Sequence, residues 1–567
     1  MTYKSAGNSS PPESIRLGVL LESLEFAPRY VHRILAGIAR SDRMELVVAV
    51  STVSTEGPGY EPSRERPSRG GSSLWKRCCE VNPRYEQQDD PEAPADISGI
   101  TRKIPKKLSA KAVVSGLLDD PENNLASVLR TARVDVLLCL GLHFPGRKLL
   151  HCARFGAWFL RFGDSAFDYG DPPFLWEMCA KKPVTCATLQ VLTPEPGECK
   201  VLYASYSALH PYSSLINRSR VYWKASGMVL RKLKQLLRDG PKMMASLGVT
   251  SVGSPKRPAA PNPIRAIRFS AVARWKRFRE EFRRRHWGPQ WFVAFAKDGR
   301  GAPNFNIIQP PPGRLYADPF IVTHEDSDFI FFENDSFANG KGIISCVEIN
   351  RDGRAGKPFT VLEEDFHLSY PCVFRHDGRF YMIPETMDSG SIRLYQCHSF
   401  PERWKLERIL IDNVSALDPT ICEYSGKHWL FANVPEPGAS WDDELHLFYA
   451  DSLTSEWKPH PKNPIVSDVR QARPAGHLFV EKGQLHRVSQ NCTPRYGHSI
   501  NIQIVEELST REYRERAARE ILPSWLPGKS LCTHTLNRNG KYIVTDGCIL
   551  SPKTMMGRLV PAGIVAE

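Results

Sequence analysis

Five segments in the C-terminal half place ionisable or amide side chains at matching positions beside apolar runs. The pairs are Asp318 with Glu333, Tyr370 with Glu385, Asp418 with Asn433, Arg473 with Gln490, and His534 with Asp546. In each segment the first residue lies at the start of an apolar run. A polar turn follows, and the second residue ends the next run. If each segment is an antiparallel hairpin, the start of one strand and the end of the other share an edge. Clustered carboxylates push one pKa up, which suits a general acid, while a carboxylate beside Arg473 stays ionised. Two carboxylates flanking a sugar bond are the usual requirement of glycoside chemistry. Asp318, Glu385 and Asp418 are therefore candidate catalytic groups. Glu333, Tyr370, Arg473, His477, Gln490, Tyr496 and His534 are candidate substrate-binding groups. Tyr316, Trp441 and Tyr496 could stack on sugar faces, although core packing explains aromatics equally well. Rim groups of this kind are expected to reach water, so amide substitutions should change stability little.

The elements that must position these residues repeat. Asp318 to Val322 and Phe329 to Glu333 flank a polar turn, and four further hairpins follow the same plan. Prolines 319, 371, 419 and 474 are 52, 48 and 55 residues apart. A further strand-like run follows the hairpins, as in Ile343 to Ile349, Ile392 to Cys397 and Leu445 to Ala450. A hairpin plus one or two strands repeated about every 50 residues is the signature of a propeller blade. Five repeats predict five blades whose first strands line a central channel. A sandwich is the competing all-β architecture, but it has no reason to repeat one hairpin five times.

The Asp-Pro strand starts and the five blades resemble the propellers of arabinanase- and xylosidase-type glycoside hydrolases. The stretch from Trp291 to Gly547 more closely resembles the propeller domain of plant glucosamine inositolphosphorylceramide transferases. The matching phrases are Tyr316-Ala317-Asp318-Pro319-Phe320, Ser369-Tyr370-Pro371 with Ile383-Pro384-Glu385, and Ala472-Arg473-Pro474-Ala475-Gly476-His477. The plant proteins fuse this propeller to a separate glycosyltransferase domain, which is not found here. The resemblance thus implies a carbohydrate-linked propeller and leaves the activity of that other domain aside. By analogy with the hydrolases, Asp318 is assigned as base and Glu385 as acid.

The N-terminal part reads differently. Strand, amphipathic helix and strand follow one another from Ile15 to Val50, a β-α-β pattern with a parallel sheet. The alternation resumes with a helix at Leu125 to Ala132 and a strand at Val134 to Cys139. Residues 54–95 are rich in Pro, Gly, Ser, Arg and Glu and read as a mobile insertion. Within residues 15–240, Gly156-Ala157-Trp158, then Tyr169-Gly170-Asp171-Pro172-Pro173, then Pro183-Val184-Thr185 resemble the formyltransferase family. The resemblance implies a Rossmann-like α/β domain, with the family's catalytic Asn falling at Phe159, its His at Arg161 and its Asp at Glu195. Formyl transfer needs a base and oxyanion donors. Phe159 offers neither, and Arg161 is always charged, so a folate donor is not expected. Arg161 beside Asp164 and Asp168 could hold a phosphate or carboxylate. Arg218, Arg220 and Lys224 could also bind phosphate, or could simply form the solvated face at a helix start.

The chain has 567 residues and a net charge of +13. Nine of those charges are the surplus of eleven Lys or Arg over two Glu between residues 251 and 290. That concentration argues against nucleic-acid binding, which would more often show a basic, aromatic-studded face within a domain. The stretch reads as a Pro/Gly linker followed by a basic amphipathic helix at 264–286, together spanning 241–286, before a propeller at 287–567. The helix suits either contact with an anionic membrane surface or an interdomain role with its apolar stripe packed on a neighbour. Residues 1–14 form a polar tail. No apolar run reaches the length of a membrane span and no signal-peptide core is present, which gives a cytoplasmic, membrane-associated expectation. Fourteen cysteines without a C-x-x-C pair read as reduced thiols with no zinc site.

The expected fold is thus multidomain, a formyltransferase-like α/β domain plus an all-β five-bladed propeller. The leading functional expectation is a carbohydrate-active transferase of glycan or glycolipid assembly, taking a sugar, nucleotide-sugar or glycolipid. The alternatives are a glycoside hydrolase, a sugar-nucleotide formyltransferase and a non-catalytic glycan-binding scaffold.

Overall fold

The computed structural model describes residues 11–51, 90–109, 117–118, 124–140, 144–145, 147–163, 174, 177–178, 180–193, 198–211, 213–245, 247–251, 263–299 and 302–553. Most of the predicted 54–95 insertion, Asp164, Asp168 to Pro173 and Glu195 lie outside the described residues. The chain divides into two compact units, Met1–Arg274 with Glu436–Ser440, and Trp275–Pro435 with Trp441–Glu567.

The N-terminal unit is built on one eight-stranded sheet. Ile15–Leu21 pairs in parallel with Met44–Ser51 on one side and Val136–Cys139 on the other. Lys106–Ser109 and Ala157–Phe162 extend the parallel part. Val184–Leu192, Glu198–Ala208 and Val249–Ser251 then add in antiparallel fashion. A sheet covered on its faces needs continuous apolar strands, and Leu17, Val19, Leu137 and Leu138 are accordingly fully buried. The helix Arg29–Ala39 buries Val31, Ile34, Leu35 and Ile38 at helical spacing. It packs with Val221, Ala225, Met228 and Leu233 of a second helix in one core.

That second helix spans Ser214–Asp239 and takes in Arg218, Arg220 and Lys224. The Ser213 hydroxyl caps it by accepting from the Ile216 N–H. Lys224, read as a phosphate ligand or a solvated cation, is instead fully buried and donates to the Ser207 hydroxyl at 2.6 Å. Arg218 pairs with Glu92 at 2.5 Å.

The second unit is the five-bladed propeller. Blade 1 comprises Arg314–His324, Ser327–Ser336, Gly342–Ile349 and Phe359–Leu362. Blade 2 comprises Ser369–His376, Arg379–Glu385, Ser391–Ser399 and Arg403–Asp412. Blade 3 runs Leu417–Tyr424, Lys427–Asn433, Glu444–Ala450 and Lys458–Pro459, and blade 4 runs Phe479–Glu481, Gln484–Asn491, Ser499–Leu508 and Tyr513–Ile521. Blade 5 is composite. Its strands Leu536–Arg538 and Tyr542–Pro552 pair with Trp287–Lys297, which carries Asn306–Ile308 at its outer edge. The pairing of Trp287–Lys297 with Tyr542–Pro552 joins the two ends of the propeller and leaves the ring without an open seam.

The first strands of blades 4 and 5 are shorter than the repeat predicts. Pro474 makes only an isolated bridge to Ser489, and His534 and Thr535 lie before the strand that begins at Leu536. Proline cannot donate to the ladder, and the N–H groups of His534 and Thr535 go to the Asp546 carboxylate at 2.8 and 3.1 Å. The linker helix spans Pro263–His286. On it, Val272, Trp275, Phe278 and Phe282 are 43 to 67% exposed among the described residues. No helix among the described residues is long and apolar enough to cross a membrane.

Candidate functional site

In blades 1, 2 and 3 the residue that opens the site sits on a bulge. The register slips between Ala317 and Phe320, between Ser369 and Cys372, and between Leu417 and Thr420. The inserted pairs are Asp318-Pro319, Tyr370-Pro371 and Asp418-Pro419. Asp318, Tyr370 and Asp418 have φ of 53°, 45° and 51°. A residue before proline is driven towards extended backbone, and a non-glycine residue at positive φ is uncommon. Such strain costs about 1–3 kcal/mol per residue and clusters at functional sites. Bulges next to active sites re-aim side chains, and here the same device occurs three times around one channel.

The side chains meet as two linked networks. In the first, the Asp546 carboxylate accepts from the Asp318 N–H at 3.0 Å and lies 2.6 Å from His534 Nδ1. The Thr535 hydroxyl donates to Asp318 Oδ1 at 2.6 Å, and His534 Nδ1 lies 3.7 Å from the same oxygen. Trp291 stacks on His534 with centroids 4.1 Å apart. In the second network, Arg473 Nε and Gln490 Nε2 donate to Asp418 Oδ2 at 2.6 and 3.0 Å. Arg473 also reaches Asp442 at 3.0 Å and Glu385 at 3.8 Å, while the Asp418 N–H donates to Glu385. Tyr496 joins the two, with Arg473 over its ring at 4.9 Å and His534 against it at 5.4 Å.

Burial sets the electrostatics. Asp318 is pushed up to about 8 by desolvation, with the carboxylates of Asp418, Glu333 and Asp546 adding to the shift and His534 opposing it. Desolvation and then Asp418 hold Glu385 well above the usual range, against Arg473. Burial disfavours the charged form of His534, but Asp546 and Asp318 outweigh it and raise the group to about 9. These mutual effects place the carboxylates of blades 1, 2, 3 and 5 in one electrostatic neighbourhood. Burial therefore favours the protonated, hydrogen-bond-donating form of Asp318. Asp418 is held by Arg473 and Gln490, so the two aspartates sit in different electrostatic surroundings.

The prediction that these groups reach water is also corrected. Asp318, Asp418, Glu385, Arg473, Gln490 and His534 are all buried, and Asp418 has a buried cation as partner. Tyr496, at 41%, and Trp441, at 55%, are the exposed aromatics beside them. Tyr370 is held in the wall, its hydroxyl bonded to Thr420 and accepting from the Gly476 N–H. His477 lies in the wall too, with Nε2 2.9 Å from the Val373 carbonyl, and burial lowers it to about 4.

Sequence reasoning missed three participants. His367 lies 3.4 Å from Glu333 and is raised to about 9, chiefly by its hydrogen bond with that carboxylate. Asp442, in the loop between the second and third strands of blade 3, holds Arg473. Asn433 was paired with Asp418 by position, but its state was not legible: it is fully buried and neither side-chain amide atom has a hydrogen-bond partner among the described residues. Asp318, His534 and Asp546 could together offer three ligand atoms to a metal, as could Glu333, Asp335 and His367. The hydrogen bonds already made to Asp546 satisfy the first set without one.

In the N-terminal unit, Arg161 sits on Ala157–Phe162 opposite Thr188, two residues from half-buried Phe159. A concavity of about 400 Å³ lies elsewhere, lined by Arg29, His32, Arg33, Arg40 and Trp223. Arg33 stacks over Trp223 at 4.0 Å.

Comparison with known proteins places this propeller. The family described as "Glucosamine inositolphosphorylceramide transferase 1, N-terminal" matches residues 308–524, which lie wholly within the blades. The Arabidopsis thaliana glucosamine inositolphosphorylceramide transferase 1 is 36% identical over 208 residues, covering 36% of this chain and 27% of that protein. Its Oryza sativa subsp. japonica counterpart is 34% identical over 208 residues, covering 36% and 28%. The chain thus spans little more than a quarter of the length of the curated relatives it matches. Among solved structures, the family 117 glycoside hydrolase Zg3597 of Zobellia galactanivorans aligns over 46% of this chain and 90% of its own, with 12% identity and a TM-score of 0.32. The Cellvibrio cellulosa alpha-L-arabinanase aligns over 39% and 94%, with 12% identity and a TM-score of 0.30.

Proposed function

We propose that this chain is a carbohydrate-active protein of glycolipid assembly, of the transferase class, whose propeller mouth recognises the sugar. The observation that carries the reading is the buried polar cluster drawn from all five blades; Asn433, opposite the start of the Asp418 bulge, adds a buried amide with no partner among the described residues. A buried amide left unpaired costs about 1–3 kcal/mol and calls for a partner, and a sugar hydroxyl is both donor and acceptor. The similarity to glucosamine inositolphosphorylceramide transferases supports a glycolipid of that type as the substrate class.

Within the mouth, protonated Asp318 donates to a sugar or leaving-group oxygen. Asp418, fixed by Arg473 and Gln490, accepts from a hydroxyl. Tyr496 and Trp441 offer exposed rings for stacking on a sugar face. For the N-terminal unit, the sequence motifs and the parallel-then-antiparallel sheet support a formyltransferase-like fold. Phe159 and Arg161 supply neither base nor oxyanion donor, so this unit recognises instead of transferring formyl. The basic concavity around Arg29, Arg33 and Arg40 suits a phosphate group of a nucleotide-sugar better than Arg161 does.

A glycolipid acceptor lies in a bilayer, and the linker helix supports peripheral contact with one. Trp275, Phe278 and Phe282 are exposed beside exposed Arg274, Arg279, Arg283, Arg284 and Arg285. Such a helix seats its apolar side chains at the headgroup boundary while arginines meet anionic lipid.

The test is titration of the full chain with nucleotide-sugars, oligosaccharides and glycosyl inositolphosphorylceramide, followed by mass spectrometry of donor and acceptor mixtures. Saturable binding that Asp418→Asn and Asn433→Ala weaken supports the mouth as the site. Absence of binding to all three ligand classes overturns the reading. Binding without turnover in every mixture reassigns the propeller to recognition alone.

A further inference from the structure

The hairpin turns of blades 2 and 3 lie at the end of the propeller away from the mouth, and there three metal-ligating side chains converge. His376 ends the first strand of blade 2. Glu423 and His428 face each other across the first hairpin of blade 3, in register and therefore on the same side of the sheet. The His376 and His428 rings lie 5.1 Å apart at 81°, and His428 Nε2 lies 3.9 Å from Glu423 Oε2. The three residues offer ligand atoms all within 4.8 Å of one another.

We propose that His376, His428 and Glu423 bind a divalent transition cation of the zinc type, bridging blades 2 and 3. A separate observation points to a missing partner. His428 is only 8% exposed, yet neither of its ring nitrogens has a hydrogen-bond partner among the described residues. Buried polar side chains are nearly always paired, and His428 is aimed at the other two ligands.

The donor set selects the cation. Two imidazoles and a carboxylate suit zinc, with a fourth position left for water or another carboxylate. Calcium and magnesium take oxygen ligands and are disfavoured. Asp377 Oδ2, 3.4 Å from His376 Nε2, is a nearby second carboxylate. Zinc–nitrogen bonds of 2.0–2.1 Å imply ligand atoms about 3.3 Å apart in a tetrahedron, so the present spread of up to 4.8 Å must close by up to about 1.5 Å. Glu423 is exposed and His376 half-buried, and a rotamer change in either supplies that movement. The sequence reading found no metal site because it looked for cysteine spacing. His376 and His428 are 52 residues apart, one repeat length, and the packing of successive blades makes them neighbours.

The test uses the full chain without a histidine tag, stripped with chelator and titrated with zinc chloride by calorimetry, with metal content read by plasma mass spectrometry. One zinc per chain and a raised thermal midpoint are expected. His428→Ala and His376→Ala should each weaken affinity at least tenfold, while exposed His398→Ala leaves it unchanged. Exposed Glu423→Gln gives a readout that does not depend on a core substitution and should also weaken binding about tenfold or more. Failure of the wild-type chain to bind zinc overturns the proposal. So does wild-type affinity in both His376→Ala and Glu423→Gln, because zinc would then be bound elsewhere.

Discussion

Asp318 and Asp418 are both buried carboxyls, and their surroundings give opposite responses to the same substitution. Asp418 accepts from Arg473 and Gln490, so Asp418→Asn leaves a buried guanidinium with one strong partner fewer. Arg473 keeps Asp442 and Glu385, which moderates the usual penalty for breaking a buried pair. The expected loss is about 2–4 kcal/mol, measured by chemical denaturation. Burial favours the protonated form of Asp318, so Asp318→Asn exchanges one neutral group for another of the same shape and should cost under about 1 kcal/mol. A loss for Asp318→Asn equal to that for Asp418→Asn would show that Asp318 is ionised. The pH dependence follows from the same groups. Folding raises Asp318 from 3.8 to about 8 and His534 from 6.5 to about 9. These two groups bind more protons in the folded than in the unfolded chain between about pH 4 and 9, so their contribution to stability falls as pH rises through that window, while His477, lowered to about 4, opposes them below about 6.5. The fall is steepest between about 6.5 and 8, where both groups contribute, and Asp318→Asn should flatten it. The identities of the carboxylates were legible because a repeat makes equivalent positions visible. Their depth was not, since nothing local in a strand start says whether the opposite blades will close over it. His367 lies in an irregular connection outside the repeated hairpin, so no pattern marked it.

The elements show why the hairpins were readable and their first strands less so. Second strands such as Phe329 to Glu333 and Trp429 to Asn433 are apolar and unbroken, and they run as the pattern implies. First strands carry the X-Pro pair, and three of them absorb it as a bulge at positive φ. In blade 4 the chain departs further. Gly476 has φ 138°, and its N–H donates to the Tyr370 hydroxyl at 2.6 Å. A Cβ placed there would lie 2.1 Å from the Leu536 carbonyl oxygen, which belongs to blade 5. Gly476→Ala must therefore move backbone against backbone, and the backbone conformation itself favours glycine. We expect a destabilisation of about 2–4 kcal/mol, together with loss of the Tyr370 contact that ties blade 2 to blade 4. A thermal midpoint within a degree of wild type would refute this account of the channel wall. The composite blade was the least legible element. Trp287–Lys297 begins the propeller with only the short Asn306–Ile308 as a partner nearby in sequence, so its role emerges only when its eleven-residue pairing with Tyr542–Pro552 is seen.

At the scale of the whole molecule, the uneven charge was legible from composition, while the fate of the apolar stripe on the basic helix was not. Periodicity marks a face that wants cover and does not say what covers it. The described helix leaves Val272, Trp275, Phe278 and Phe282 in water, flanked by arginines on both sides of the stripe. Arg279 lies over the Trp275 ring at 5.4 Å and Arg284 pairs with Glu280 at 2.9 Å, so local contacts shield only part of it. An anionic bilayer satisfies both features at once. Each basic side chain near such a surface contributes about 1 kcal/mol, and the aromatic side chains add the burial of their rings. The full chain should therefore co-sediment with vesicles containing phosphatidylserine and bind neutral phosphatidylcholine vesicles much more weakly. Raising salt from 0.1 to 0.5 M should weaken the anionic binding, because the Debye length falls below the spacing of helix and headgroups. The double substitution Trp275→Glu with Phe278→Glu should reduce partitioning at least tenfold while leaving the thermal midpoint unchanged, since both rings are exposed in the folded chain. If the double variant binds as wild type, the basic charge alone drives association and the apolar stripe is not inserted. If it unfolds instead, the stripe packs within the protein and the membrane reading of this helix fails.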